Sequence, residues 1–174
     1  MTDILVKLFV KDYKDVEKVS VRTAYGVLAS GVGIFCNVLL TIAKMVIGIL
    51  LHSVSVTADA FNNLSDAGSS IITLIGFRIS GQRPDPKHPF GHGRMEYISG
   101  LLVSVAILVM GFELVKSSIE KLIHPEPVES SPVIIGILAV SILVKVYMFY
   151  YNRAVGKKIE SAAMKATAMD SLSD

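Results

Sequence analysis

SVSVTADAFNNLSDAGSSIITLIGFRI, residues 53 to 79, is the stretch that decides the expected fold. It is long enough for a membrane-spanning helix and carries two carboxylates and two adjacent amides in an otherwise apolar run. At 100° per residue one polar stripe forms on the helix. Its members are Ser55, Asp59, Asn62, Asp66, Ser69, Ser70 and Thr73. The apolar face is wider than that of a soluble amphipathic helix, so we expect a membrane helix with a functional polar face.

Two of these polar residues are spaced to share a ligand. Asn62 and Asp66 are four residues apart, so their side chains stack one turn apart and can both reach one small cation. An ionised carboxylate in a bilayer costs about 3 kcal/mol or more unless it has a partner. Asp59 and Asp66 are therefore functional candidates, and the pattern favours an ion site over a purely structural stripe.

Composition places the chain among membrane proteins. Its 174 residues are 52% hydrophobic and have a mean hydropathy of +0.57, which is too apolar for an ordinary globular domain. The net charge of +2, without clustered basic and aromatic residues, argues against nucleic-acid binding. The single cysteine, Cys36, excludes an intrachain disulfide and a thiolate zinc cluster within these residues.

The apolar runs predict an all-α, polytopic transmembrane helix bundle with four complete spans and the start of a fifth. The first span covers about residues 24 to 51, the second is the quoted stretch, the third covers about 97 to 119 and the fourth about 131 to 150. Residues 1 to 23 are an N-terminal segment, in which residues 3 to 20 predict a short amphipathic helix on the membrane surface, with a solvated tail as the alternative. Residues 24 to 174 form the transmembrane domain.

Loop charges set the expected orientation. Lysine and arginine are concentrated in the N-terminal segment, in the loop after the second span and after the fourth span. By the positive-inside rule the N-terminus lies in the cytoplasm. We expect a multi-pass protein of the plasma or inner membrane.

Three further charges fall inside the predicted spans. Lys44 and Lys145 are basic and Glu113 is acidic, so pairing would offset the cost of burying them. The sequence leaves open which lysine, if either, meets Glu113.

The loop SGQRPDPKHPFGHGR, residues 80 to 94, holds one carboxylate and two imidazoles. Asp85, His88 and His92 lie within eight residues, and such a group can bind a metal such as zinc. Loop histidines more often have no ligand, so spacing alone favours that interpretation.

The chain closes with ESAAMKATAMDSLSD, residues 160 to 174, a helix-forming run. Asp170 and Asp174 repeat the four-residue spacing of Asn62 and Asp66. The chain stops about one turn after Asp170, so we expect a fragment that is truncated in its fifth membrane helix.

Three stretches together resemble the cation diffusion facilitator family: SVSVTADAFNNLSDAGSS, HPFGHGRMEYISG and KKIESAAMKATAMDSLSD. The resemblance implies a homodimeric metal/proton antiporter with six transmembrane helices, a metal site between helices two and five, and a C-terminal cytoplasmic domain. This chain contains neither the sixth helix nor that domain. No prosthetic group is implied, since the divalent metal is the cargo.

The resemblance also implies the site residues. Asn62, Asp66, Asp170 and Asp174 fall at the transport site, and Asp85, His88 and His92 where some members hold a second metal. Arg94 matches a basic position that links subunits, and Asp59 is accessory. Zinc members place a histidine where this chain has Asp170, and the all-oxygen set resembles the manganese-type branch. The expected function is export of Mn²⁺ in exchange for protons, with Fe²⁺ second and Zn²⁺ also open.

Two rivals come from other classes. An intramembrane metalloenzyme needs a general base and a helix signature such as HExxH, and none is present in the sequence. A non-transporting structural fragment would use the polar stripe only for helix packing, which does not require two four-residue pairs of this kind. We therefore expect a transporter rather than an enzyme.

Overall fold

The chain is described by a computed structural model that covers residues 6–7, 10, 13–124 and 131–174. From residue 13 onward the described part of the chain contains five helices in this order: α1 (Val19–Leu50), α2 (Val54–Ser80), α3 (Met95–Ile123), α4 (Pro132–Lys158) and α5 (Ala162–Ser173). No strand occurs within the described ranges. The predicted all-α helix bundle is confirmed. The predicted N-terminal amphipathic helix is wrong for residues 13 to 18, which form turns and a bend, and residues 3–5, 8–9 and 11–12 of it lie outside the described residues.

Two tight turns of the same design connect α1 to α2 and α4 to α5. His52 and Glu160 take left-handed backbone conformations, with φ of 52° and 49°. In the first turn the amide of Ser53 donates to the carbonyl of Gly48 at 2.9 Å. In the second turn the amide of Ser161 donates to the carbonyl of Gly156, also at 2.9 Å. The hydroxyl of that serine then accepts a bond from the first turn of the following helix, at Val56 or Met164. The bundle therefore contains two similar helical hairpins, α1–α2 and α4–α5, together with α3.

Small residues let α1 and α2 approach closely. A Cβ atom added at Gly33 would lie 2.9 Å from Oγ of Ser70, and Gly48 lies against Thr57 in the same way. Glycine at such positions allows the backbones of two membrane helices to approach. This contact turns Asp66, which is 1% exposed, toward the interior.

Three of the described helices, α1, α3 and α4, are long and apolar enough to cross a membrane by length and composition. The second helix does not meet that criterion, because its polar face lowers its hydropathy. Its 27 residues measure about 40 Å at 1.5 Å per residue, which is sufficient for a crossing. That α2 and α5 also cross the bilayer remains a prediction.

Three helices are longer than the sequence predicted: α3 ends at Ile123 rather than near Ile119, and α1 and α4 are longer at the opposite end of the bundle. The first begins at Val19, more than a turn before the expected start, and α4 continues to Lys158 rather than ending near Tyr150. We call the end of the bundle where α1 begins and α4 ends the basic end. It also contains the loop between Gly81 and Arg94.

A single arginine ties three elements together at the basic end. The Nε of Arg22 on α1 donates to the carbonyl of Ile159 at 2.9 Å, and its Nη2 lies 2.9 Å from Oε1 of Glu96 on α3. Tyr25 and Phe77 pack in the apolar core beside these bonds. The contacts fix the turn before α5 against α1 and α3, and so determine where α5 enters the bundle.

Candidate metal centre

The buried polar face of α2 differs slightly from the predicted stripe. Asn63 and Asp66 are buried, Asn62 is only partly buried, and Ser55 is exposed. The prediction that Ser55 shares the interior face with Asp66 is wrong, because the contact with α1 rotates the buried face toward Asn63. The Nδ2 of Asn63 donates to Oδ2 of Asp66 at 3.3 Å.

The fifth helix brings two more carboxylates to the same region. Asp170 is 5% exposed, and the side chain of Asp174 is 10% exposed. Hydroxyls of Thr73 on α2 and Thr167 on α5 lie 3.1 Å apart, so the two helices touch directly. Asp66 and Asp174 are both close enough to Asp170 to interact with it electrostatically.

One direct hydrogen bond connects two of the predicted residues, one on α2 and one at the end of α5. The Nδ2 of Asn62 donates to Oδ1 of Asp174 at 3.4 Å. Together Asn62, Asp66, Asp170 and Asp174 form what we call the carboxylate cluster. The structure thus brings all four predicted residues to one place between α2 and α5. Whether they bind a metal stays a prediction.

A lysine from α4 lies within the carboxylate cluster. The Nζ of Lys145 is 2.6 Å from Oδ2 of Asp66 and 2.5 Å from Oδ2 of Asp174, and its side chain is 8% exposed. These short, charge-assisted bonds partly offset the cost of burying three charges. Among the described residues, no side chain makes a hydrogen bond or ion pair with Asp170.

Two buried oxygens near the cluster have no hydrogen-bond partner in the described part of the chain. They are Oδ1 of Asp66 and Oδ1 of Asn63. A buried acceptor without a partner costs about 1–3 kcal/mol, so such atoms are expected to serve a ligand or water. Both are the hard oxygen donors that divalent cations such as Mn²⁺ and Mg²⁺ accept.

A cavity of about 320 Å³ lies beside the cluster, between α1, α2, α4 and α5. Its polar lining comes mainly from Asp59, Asn63, Lys145 and Asp174, with apolar residues of α4 such as Leu138. Lys44 also lines it, with Nζ 2.8 Å from Oδ2 of Asp59. The space is large enough for a side chain of the cluster to move.

The structure defines the pairing of the charges that were predicted to lie inside the spans. Lys44 pairs with Asp59, and Lys145 pairs with Asp66 and Asp174. Neither lysine pairs with Glu113, which lies on an exposed part of α3. Asp59, predicted to be accessory, is the partner of a buried lysine.

The second group of candidate ligands also comes together. Asp85 Oδ1 lies 3.1 Å from Nδ1 of His88, Asp85 Oδ2 lies 3.7 Å from Nε2 of His92, and one ligand atom from each residue fits within 4.8 Å. Tetrahedral zinc ligands about 2.0–2.1 Å from the metal would be about 3.4 Å apart, so the spacing suits a metal. The amide of His88 donates to Asp85 at 2.6 Å and lowers the pKa of that carboxyl below its ordinary 3.8, with a smaller contribution from the His88 ring.

Comparison with known proteins agrees with this geometry. The model of the cation efflux transmembrane domain matches residues 30–174. The chain belongs to the cation efflux family. This confirms the resemblance to cation diffusion facilitators that the motifs indicated, and the membrane character that the composition indicated.

Several relatives of the family are similar to this chain. An uncharacterized transporter of Methanocaldococcus jannaschii is 36% identical over 79% of this chain and 49% of its own length. The manganese efflux system protein MneS of Bacillus subtilis is 34% identical over 82% of this chain and 49% of its own length. The magnetosome protein MamM of Magnetospirillum gryphiswaldense is 32% identical over 79% of this chain and 43% of its own length. The chain therefore spans about half the length of these curated relatives.

Two residues of this cation efflux domain were given no site role from sequence. They are Asn63 and Lys145. A signal for Lys145 was present, because the two hairpins correspond residue by residue: Ser53 matches Ser161, and Asp66 matches Asp174 at the same interval. That interval matches Lys145 with Asn37, a buried polar residue of α1. The correspondence marks both positions as interior.

Proposed function

We propose that the protein of which these residues form the membrane part exports a divalent cation from the cytoplasm in exchange for protons. The observation that carries this proposal is the carboxylate cluster itself. Three carboxylates and an amide from α2 and α5 meet inside a membrane helix bundle. Such a concentration of acidic groups in a bilayer is costly and marks an ion pathway.

Mn²⁺ is the cation that the ligand set supports best. Every side chain of the carboxylate cluster offers oxygen, as do the unpartnered atoms of Asp66 and Asn63. Oxygen ligands suit Mn²⁺, whereas zinc is bound mainly by nitrogen and sulfur. The relative MneS is named a manganese efflux system protein, which supports the same choice. Fe²⁺ is second, and Zn²⁺ is a third candidate.

Proton exchange follows from the chemistry of carboxylates. A cation binds to the ionised form, and protons compete for the same oxygens, so binding on one side and protonation on the other give antiport. Rocking of the hairpins would expose the cluster to alternate sides. We place the basic end, the N-terminus and residues 1–23 in the cytoplasm, in a plasma or inner membrane.

The complete protein is proposed to be a homodimer. Most of α3 beyond Gly100 is exposed and apolar, including Leu108, Phe112 and Leu122. Lipid, a further helix or a second copy covers such a surface in a membrane. The protein has no resident cofactor in this proposal, and its family indicates a transporter rather than an enzyme.

Asp85, His88 and His92 form a proposed second metal site in the cytoplasmic loop. Their converging ligand atoms and the buried Nδ1 of His92, which has no partner in the described ranges, support it. The site is separate from the bundle interior, so its role would be regulatory or structural rather than transport.

The test measures Mn²⁺ uptake into inside-out vesicles that contain the complete protein, with and without an imposed pH gradient. Asp66→Asn keeps the shape of the side chain and removes its charge, so we expect at least about a tenfold loss of Mn²⁺ affinity, about 1.4 kcal/mol. Glu113→Gln makes the same chemical change on the exposed face of α3 and should leave affinity unchanged. Equal effects of the two substitutions on Mn²⁺ affinity would contradict the proposal. Uptake at the same rate with and without the pH gradient would contradict proton exchange.

A further inference from the structure

The ammonium group of Lys145 lies between two carboxylates of the carboxylate cluster. Its Nζ bonds to one oxygen of Asp66 on α2 and one of Asp174, the residue that follows α5. Both oxygens belong to residues proposed as metal ligands. A divalent cation that bound to these two oxygens would therefore compete with the lysine for them.

The side chain of Lys145 borders both the carboxylate cluster and the cavity beside it. Lys145 is on α4, and its long flexible stem lines the cavity that extends from the cluster toward Lys44. Lysine has four rotatable methylenes and a compact point charge, so it can withdraw without movement of the helix. The cavity of about 320 Å³ provides the space.

We propose that Lys145 is a tethered competitor of the transported cation. Its ammonium group neutralises Asp66 and Asp174 between transport events, and the arriving divalent cation displaces it into the cavity. This inference rests on the proposed function and adds a specificity-determining residue to it.

Two consequences follow from the charges. A divalent cation replaces the single charge of the ammonium with two charges, whereas a monovalent cation gains nothing by the exchange, so the lysine selects against K⁺ and Na⁺. The returning ammonium also favours release of the metal, since it restores neutrality at the two carboxylates. Lys145 should therefore weaken metal binding and speed turnover.

Lys44 provides a matched control in the same molecule. It is also a buried lysine in a membrane helix and lines the same cavity, but its partner is Asp59, outside the carboxylate cluster. The transported cation should therefore displace Lys145 and leave the pairing of Lys44 with Asp59 unchanged.

The first test needs no substitution. The complete protein in detergent is treated with acetic anhydride, with and without saturating Mn²⁺, and acetylation of each lysine is measured by mass spectrometry. We expect Mn²⁺ to raise the labelling of Lys145 at least about threefold and to leave Lys44 unchanged. Bound Mn²⁺ with unchanged labelling of Lys145 would overturn the inference.

The second test measures Mn²⁺ affinity by calorimetry and the KM and maximal rate of uptake in proteoliposomes. Lys145→Met should tighten Mn²⁺ binding about tenfold or more, which is about 1.4 kcal/mol, and lower both KM and the maximal rate. Lys145→Arg keeps the charge and should stay near the parent affinity, and Lys44→Met should also leave affinity nearly unchanged.

The outcomes separate this inference from the proposed function. If the parent protein binds no Mn²⁺, Fe²⁺ or Zn²⁺, the proposed function is wrong. If it binds metal and Lys145→Met binds it equally or more weakly, Lys145 is only a structural link between α2 and α5, and the inference is wrong. If Lys145→Met does not fold, the labelling result alone decides.

Discussion

The Nζ of Lys44 on α1 lies 2.8 Å from Oδ2 of Asp59 on α2, and the two partners differ in exposure. The Lys44 side chain is 4% exposed and that of Asp59 is 35% exposed. Loss of the carboxylate leaves a buried unpaired ammonium, whereas loss of the lysine leaves a carboxylate that reaches the cavity. We therefore predict that Asp59→Asn destabilises the protein more than Lys44→Met does.

The expected cost of Asp59→Asn is about 3 kcal/mol, the range for one partner removed from a buried ion pair. Thermal unfolding of both variants and of the double variant in detergent measures this. The double variant should be more stable than Asp59→Asn alone. An equal loss of stability in the two single variants would show that the difference in burial between Lys44 and Asp59 does not determine the cost of removing a partner.

A selectivity prediction concerns Asp170. Replacement by histidine exchanges an oxygen for the nitrogen that zinc prefers and removes one negative charge from the carboxylate cluster. Asp170→His should weaken the binding of Mn²⁺ more than the binding of Zn²⁺. The ratio of the two affinities should change about tenfold, which is about 1.4 kcal/mol. Competitive uptake of the two metals into vesicles gives the ratio. An unchanged preference in a folded, active variant would falsify a ligand role for Asp170.

The loop histidines should be dispensable for transport. His88→Ala with His92→Ala removes two of the three converging side chains, which lie outside the helix bundle. We expect loss of one bound metal per chain, measured by elemental analysis, with Mn²⁺ efflux within about twofold of the parent. Abolished efflux in a folded double variant would show that the loop takes part in transport.

Close packing of α3 against α5 gives a stability prediction. A Cβ atom at Gly100 would lie 3.0 Å from Cα of Ala163, whereas one at Gly111, also on α3, would meet nothing within 4 Å. Gly100→Val should therefore push α5 away and cost about 1–3 kcal/mol of unfolding free energy. Gly111→Val should change the unfolding free energy of the parent protein by no more than about 0.5 kcal/mol. Similar losses for both variants in thermal unfolding would contradict the packing argument.

Much of this protein follows from the sequence alone. The apolar runs predict the helices, because a bilayer requires every backbone polar group to be bonded within its own helix. The paired spacings of Asn62 with Asp66 and of Asp170 with Asp174 indicate candidate ligands, since helical periodicity places residues four apart on one face. The family also follows from the order of these motifs along the chain.

Tertiary contacts alone decided how the buried charges pair. Nothing in the sequence showed that Lys145 reaches Asp66 and Asp174 while Glu113 is left exposed on α3. Helical periodicity gives the relative direction of side chains within one helix but not the rotation of that helix against its neighbours. For α2 that rotation is determined by its close contact with α1, such as that of Gly33 with Ser70, and it turned Asn63 inward and Ser55 outward.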